Sequence, residues 1–175
     1  MYYCSPPPPK KNVTLNFKRK ELLYDASNYA YVEADIMQVE DECRRHQVFD
    51  ITQTGNVDRV TRILNLAYAE CVEALYPYTK ESISDDEDTL DDVLKEPDTY
   101  TITLSLPEGF SITTVNLLEE LIHEYMVCRV LAEWLSITKK ESATNWENKF
   151  SVLKEKMQKA LISRRGRIRR KIKPF

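Results

Sequence analysis

The sequence predicts a mainly α protein, a compact bundle of about four helices with two short β-strands and extended N- and C-terminal arms. Three observations carry this expectation. Apolar residues recur at spacings of three, four and seven over long stretches, the signature of amphipathic helices. Strict apolar/polar alternation occurs in only two short runs. Glycine is scarce, with Gly55, Gly109 and Gly166 the only three in 175 residues, where average usage of about 7% gives roughly twelve. The length fits one domain with arms. With 42% hydrophobic and 30% charged residues, the chain can bury a core without disulfides or metal. The expected divisions are an arm and short strand over 1–18, a helical domain over 19–163 and a basic tail over 164–175.

Residues 1–11 form a Pro/Lys arm in which Pro6, Pro7, Pro8 and Pro9 favour extended polyproline II backbone. Val13, Leu15 and Phe17 alternate with Asn12, Thr14 and Asn16, the period of a half-buried strand. A helical pattern then runs from about Arg19 to His46, with Leu22, Ala26, Tyr29, Ile36 and Cys43 in one stripe that Leu23, Ala30 and Met37 widen. Thr54-Gly55-Asn56 reads as a turn, and Asn56 or Asp58 can cap the helix that follows. That helix carries Val60, Ile63, Leu64, Ala67, Cys71 and Leu75 on one face and stops at Pro77. Residues 81–98 hold nine acidic side chains and read as a solvated loop. Over 99–106, Tyr100, Ile102, Leu104 and Leu106 alternate with threonine and serine, the clearest strand in the chain. The next helix starts near Ser111–Thr114 and runs to about Ser136. Leu118, Leu121, Tyr125, Cys128, Ala132 and Leu135 keep a heptad spacing along it. Val115, Ile122, Met126, Val130, Leu131 and Trp134 extend its apolar surface round the cylinder, so it should be central. The last helix opens on Thr144 and Glu147 at capping-box spacing and carries Trp146, Phe150, Leu153, Met157 and Ala160.

Several chemistries lack their residues. No run of about 18 apolar residues predicts a transmembrane helix, and the Pro/Lys N-terminus does not read as a secretory leader; the expectation is a soluble protein with no membrane partner. Three isolated glycines cannot build a phosphate-cradling loop. Cys4, Cys43, Cys71 and Cys128 stand 28 or more residues apart, so no CxxC pair supports a zinc ribbon or a thioredoxin-like site. Glu120 and His123 lie one helical turn apart, the spacing used by di-iron bundles, but a second copy is missing because Glu42 and His46 are four apart. Asp85-Asp86-Glu87-Asp88 lacks the turn glycine of a calcium loop. No nucleophile–histidine–carboxylate constellation can be assembled. The sequence assigns no catalytic, cofactor-binding or metal-ligating residue.

Charge is segregated. The formal net charge of −3 combines +5 over residues 1–20, −18 over 21–138 and +10 over 139–175. Arg164, Arg165, Arg167, Arg169, Arg170, Lys171 and Lys173 put seven cations into ten residues. Such a run attracts a polyanion by counterion release, or docks on an acidic protein surface, including the acidic body of a neighbouring subunit. The third reading is a solvated tail. Lys173-Pro174-Phe175 adds an aromatic anchor, which favours docking over floating. Two strands far apart in sequence either stay unpaired with open edges or pair as a ribbon that is marginal without further support. Either way strand addition to a neighbouring chain is suggested, with Tyr100, Ile102 and Leu104 as contact residues.

The order of elements resembles the head–tail connector (neck, or portal adaptor) proteins of tailed bacteriophages and prophages. The resemblance rests on an N-terminal helical pair (Leu22–His46 and Val57–Tyr76), an acidic loop, a strand (Tyr100–Leu106) and the long apolar helix from Val115 to Arg129. It implies a non-enzymatic virion protein at the head–tail junction, assembled in the host bacterial cytoplasm. The implied assembly is a homo-oligomeric ring, commonly of twelve subunits, between the portal and the tail or neck proteins around a double-stranded DNA channel. Pro6–Pro9, the 99–106 strand and Phe175 would then reach neighbouring subunits or the portal. The alternatives are a nucleic-acid-binding accessory protein using the basic tail, and a small metal-dependent or hydrolytic helical enzyme.

Overall fold

A computed structural model describes residues 9–37, 42–80 and 94–163, without the side chains of 42–44 and 162–163. The elements are β1 (Lys10–Lys18), α1 (Arg19–Asp35), α2 (Glu42–Phe49), a 3₁₀ turn (Asp50–Thr52), α3 (Val57–Ala74), β2 (Thr99–Pro107), α4 (Ile112–Thr138) and α5 (Lys140–Ser163). The fold is mainly α with one small sheet, as the periodicities predict.

The two strands pair with each other, antiparallel, from Lys10 opposite Pro107 to Lys18 opposite Thr99. Leu15 and Phe17 of β1 and Tyr100, Ile102, Leu104 and Leu106 of β2 point into the core. An isolated two-stranded ribbon is marginal in water. Each fully buried leucine or isoleucine contributes about 1.5–3 kcal/mol, so the helices beneath are what hold this one. β1 runs straight into α1 with no side-chain cap. The Arg19 N–H instead donates to the Asp98 carbonyl at 3.0 Å, which extends the ladder into the first helical turn.

The helical run expected from Arg19 to about His46 is two helices. On α1, Leu22, Ala26, Ala30 and Ala34 form a buried stripe, while Ile36, expected in the core, is 73% exposed. The helix ends there because its C-terminal carbonyls are served from elsewhere. Arg45 Nε donates to the Ala34 carbonyl at 3.2 Å and its Nη2 reaches Asp35 Oδ1 at 3.3 Å, so α2 folds back against α1. Trp134 Nε1 donates to the buried Val48 carbonyl at 3.1 Å and ties α2 to α4. The expected Asn56 cap on α3 is absent, since Asn56 Nδ2 turns back to the Asp50 carbonyl at 2.8 Å.

α4 is the central helix, about 40 Å long at 1.5 Å per residue, with thirteen buried residues spread round its circumference. Of the six heptad positions, only Leu121 is not fully buried. A break at Lys139 turns the chain into α5, and the pair forms an antiparallel hairpin in which Phe150 stacks edge-on against Tyr125 at 5.9 Å. Thr144 and Glu147 therefore lie inside α5 and do not cap it. Lys139, freed by the break, reaches the Glu33 carboxylate at 3.0 Å and the Glu33 carbonyl at 3.1 Å.

Candidate functional site

The edges of the ribbon differ. Hydrogen bonds from Arg19 N to Asp98 O and from Glu108 N to Pro9 O bracket the ladder. In an antiparallel pair, hydrogen-bonded and non-hydrogen-bonded positions alternate. The backbones of Lys11, Val13, Leu15 and Phe17 therefore face β2, and those of Lys10, Asn12, Thr14, Asn16 and Lys18 face outward. The outer edge of β2 is covered. Ser105 N–H donates to the Tyr78 carbonyl at 2.8 Å, and the Tyr68 hydroxyl donates to the Thr101 carbonyl at 2.7 Å. Among the described residues the outward groups of Lys10, Asn12, Thr14 and Asn16 have no backbone partner, whereas the Lys18 carbonyl belongs to the N-terminus of α1.

Beside that open edge lies a groove of about 380 Å³, between β1, α1 and α4. Asn16 and Phe17 form one wall, Glu21 and Asp25 of α1 a second, and Glu119, Glu120, His123 and Glu124 of α4 a third. Five carboxylates thus face one imidazole. His123 Nε2 meets Asp25 Oδ2 at 2.7 Å, a pairing across 98 positions. Glu21 pairs with Lys18 at 2.9 Å on the rim. Glu124 pairs with Lys149, whose ammonium also sits over the Tyr29 and Trp146 rings. Burial disfavours the charge on Lys149, but the Glu124 bond outweighs it and raises the ammonium above its ordinary value. Glu119 and Glu120 are exposed and form no ion pair among the described residues.

Among the described residues the groove brings no hydroxyl or thiol nucleophile to its imidazole. Glu120 shares its wall, as the three-residue spacing predicts, but the imidazole is taken by Asp25. Among the described residues no group of three His, Cys, Asp or Glu side chains could hold a metal ion. Cys71 and Cys128 are buried thiols. Burial pushes both upward, Cys128 to about 12, so neither is a thiolate near neutrality. A second, more open concavity of about 650 Å³ lies where residues 95–101 meet α3. Its polar groups satisfy one another: Tyr100 donates to Asn65 Oδ1 at 2.8 Å, and Asn65 Nδ2 donates to the Lys95 carbonyl at 2.9 Å. Burial pushes the Tyr100 phenol up to about 12. That arrangement is a structural join.

The residues expected to meet partners fall into two groups. Tyr100, Ile102 and Leu104 are 3%, 1% and 0% exposed. They pack in this chain's own core, so the outward face of β2 is Thr99, Thr101, Thr103 and Ser105 instead. Pro9 is exposed, and its carbonyl accepts from Glu108. Pro6, Pro7, Pro8, Arg164, Arg165, Arg167, Arg169, Arg170, Lys171, Lys173, Phe175 and the Asp85–Asp88 run lie outside the described residues. Sequence reasoning missed the groove because three elements far apart in the chain build it. Its only local traces are the i,i+4 pair Glu21 and Asp25 and the Glu119, Glu120 and Glu124 group. No family model, no curated protein and no solved structure matches the chain.

Proposed function

We propose that this chain is a non-catalytic structural subunit that works by assembling with copies of itself, as a head–tail connector ring between the portal and tail of a tailed phage. The open edge of β1 beside an acidic groove, on a chain whose ends are strongly basic, carries the proposal. Such a molecule presents two different complementary surfaces, and surfaces of that kind join copies head to tail, in rings when the rotation closes. The resemblance in element order supplies the phage setting, with portal and tail or neck proteins as neighbours and duplex DNA in the channel. Mass measurement and imaging of the purified chain, alone and with a portal, test the proposal. A closed ring, or addition to the portal, is the expected result; a monomer that ignores the portal at high concentration overturns it.

A second reading is favoured by the seven cations of residues 164–173: a nucleic-acid-binding accessory protein gripping phosphates without reading sequence. Truncation after Ile162 would then abolish binding to duplex DNA and flatten its salt dependence.

A further inference from the structure

We propose that the free edge of β1 receives, as a third strand, the basic segment Arg167–Lys173 of a second copy of this chain. The inference rests on the oligomeric reading above and names the contact that would make it.

The edge itself asks for a strand. Lys10, Asn12, Thr14 and Asn16 direct their N–H and C=O groups, and Lys18 its N–H, away from β2 along nine residues, about 30 Å of ladder. Seven added residues would cover about 23 Å of it. The flanking groove sets the charge of the incoming side chains. On the core side of β1 a third strand arrives over Glu119 and Glu120, which have no cation among the described residues, and over the Asp25–His123 pair. Lys10 and Lys18 start from the opposite, solvent face of β1, although Lys18 reaches over the rim to Glu21. Lys11 is on the core side but at the far end of the strand from Asn16 and Phe17, where the groove meets β1.

Three segments of the chain lie outside the described residues at 1–8, 81–93 and 164–175, besides the four residues 38–41. The first ends in prolines that lack the N–H a ladder needs. The second carries Glu81, Asp85, Asp86, Glu87, Asp88, Asp91 and Asp92 and would meet the groove with like charge. The third fits in both respects. Arg167, Arg169, Lys171 and Lys173 are two residues apart, so an extended backbone sets all four on one side, facing the carboxylates. Ile168, Arg170 and Ile172 fall on the other.

A neighbour's tail reaches this edge more readily than the chain's own. Lys149 lies against Glu124, and from there α5 runs on antiparallel to α4. Ser163 ends about 15 Å beyond Glu120 along the hairpin, so the chain's own tail would have to double back.

Charge reversal in full-length chains tests the proposal. One variant reverses the tail (Arg167→Glu, Arg169→Glu, Lys171→Glu), and the other reverses the groove (Glu119→Lys, Glu120→Lys), each checked for native circular dichroism. Sedimentation at low salt should show association of the wild-type chain and its loss in either variant alone, on the order of a hundredfold in dissociation constant. A mixture of the two restores complementarity in trans and should associate. Thr14→Pro on both partners, which removes an outward N–H without touching the β1–β2 ladder, should abolish that rescue. Assembly of either variant alone at wild-type strength overturns the docking and leaves the ring reading standing. A mixture that associates without ever closing a ring does the opposite. A mixture that stays monomeric overturns the docking, in favour of the chain's own tail if wild type is also monomeric, or of nucleic acid if the same arginines bind duplex DNA.

Discussion

Glu33 joins α1 to the α4–α5 corner, and replacing it by glutamine isolates what its charge contributes. Its carboxylate accepts from Lys139 Nζ at 3.0 Å and from Trp146 Nε1 at 3.0 Å. The Glu33 and Lys139 side chains retain only 20% and 19% of their exposure, so solvent screens the pair weakly. Burial alone would raise the Glu33 carboxyl, but hydrogen bonds from Lys139, Ser142 and Trp146 outweigh it and hold it below 4.5. A hydrogen bond to a charged group contributes about 1.5–3 kcal/mol. Glutamine keeps a neutral acceptor of the same shape, so Glu33→Gln should cost about 1–2 kcal/mol. For a chain of this size that is a fall in Tm of about 2–8 °C. A carboxyl whose folded pKa is depressed stabilises the fold above its unfolded pKa, and that stabilisation fades as pH falls through the folded value. Thermal or urea unfolding of both chains should therefore show the full gap at pH 7, narrowing progressively below about pH 4.5. A gap unchanged at pH 3 would refute the charge-based reasoning and leave only packing.

Trp134→Phe keeps an aromatic ring but loses the pyrrole edge of the indole and its bond to the buried Val48 carbonyl, which should cost about 1–3 kcal/mol in urea unfolding; a loss below about 0.5 kcal/mol would mean that α2 is not anchored there. Ala30 is 0% exposed in the alanine stripe of α1, and Ala30→Leu should destabilise by about 1–3 kcal/mol through overpacking, whereas a neutral result would show slack between α1 and the core. Cys71 and Cys128 should resist iodoacetamide at pH 8 in the native chain and react once it is unfolded, read site by site by mass spectrometry; native labelling of Cys128 would contradict a thiol pushed up to about 12.

The features legible in the sequence are those one element decides by itself. The heptad of α4 and the alternation of β2 each report a burial pattern that the chain repeats every few residues, and the structure buries the matching side chains, Leu121 alone only in part. The break between α1 and α2 was not legible, because it depends on Arg45 reaching back to Ala34 and Asp35, a tertiary contact with no period. Thr144 and Glu147 have capping-box spacing, yet α5 begins a turn earlier, where Lys139 leaves helical backbone to meet Glu33. The alternation of β2 correctly identified an apolar face. What covers that face is decided by helices elsewhere in the chain, so Tyr100, Ile102 and Leu104 went from expected contacts to core. The groove is the extreme case, since Asp25 and His123 meet across 98 positions.

An open edge is a hazard as well as an opportunity, since unpaired backbone groups template any strand that arrives. β1 limits that hazard by its side chains. Its outward face reads Lys10, Asn12, Thr14, Asn16 and Lys18, with a lysine at each end and no large apolar group between them, so it offers an uncharged apolar strand little. Two copies of β1 pairing edge to edge would gain only polar contacts and would bring their acidic grooves together. Like charges across an interface cost several kcal/mol, which disfavours the symmetric dimer. A cationic strand meets neither obstacle. The polar face of β1 thus discourages indiscriminate pairing, while the carboxylates of the groove beside it select by charge, and the sign they select is the one that the C-terminal segment carries.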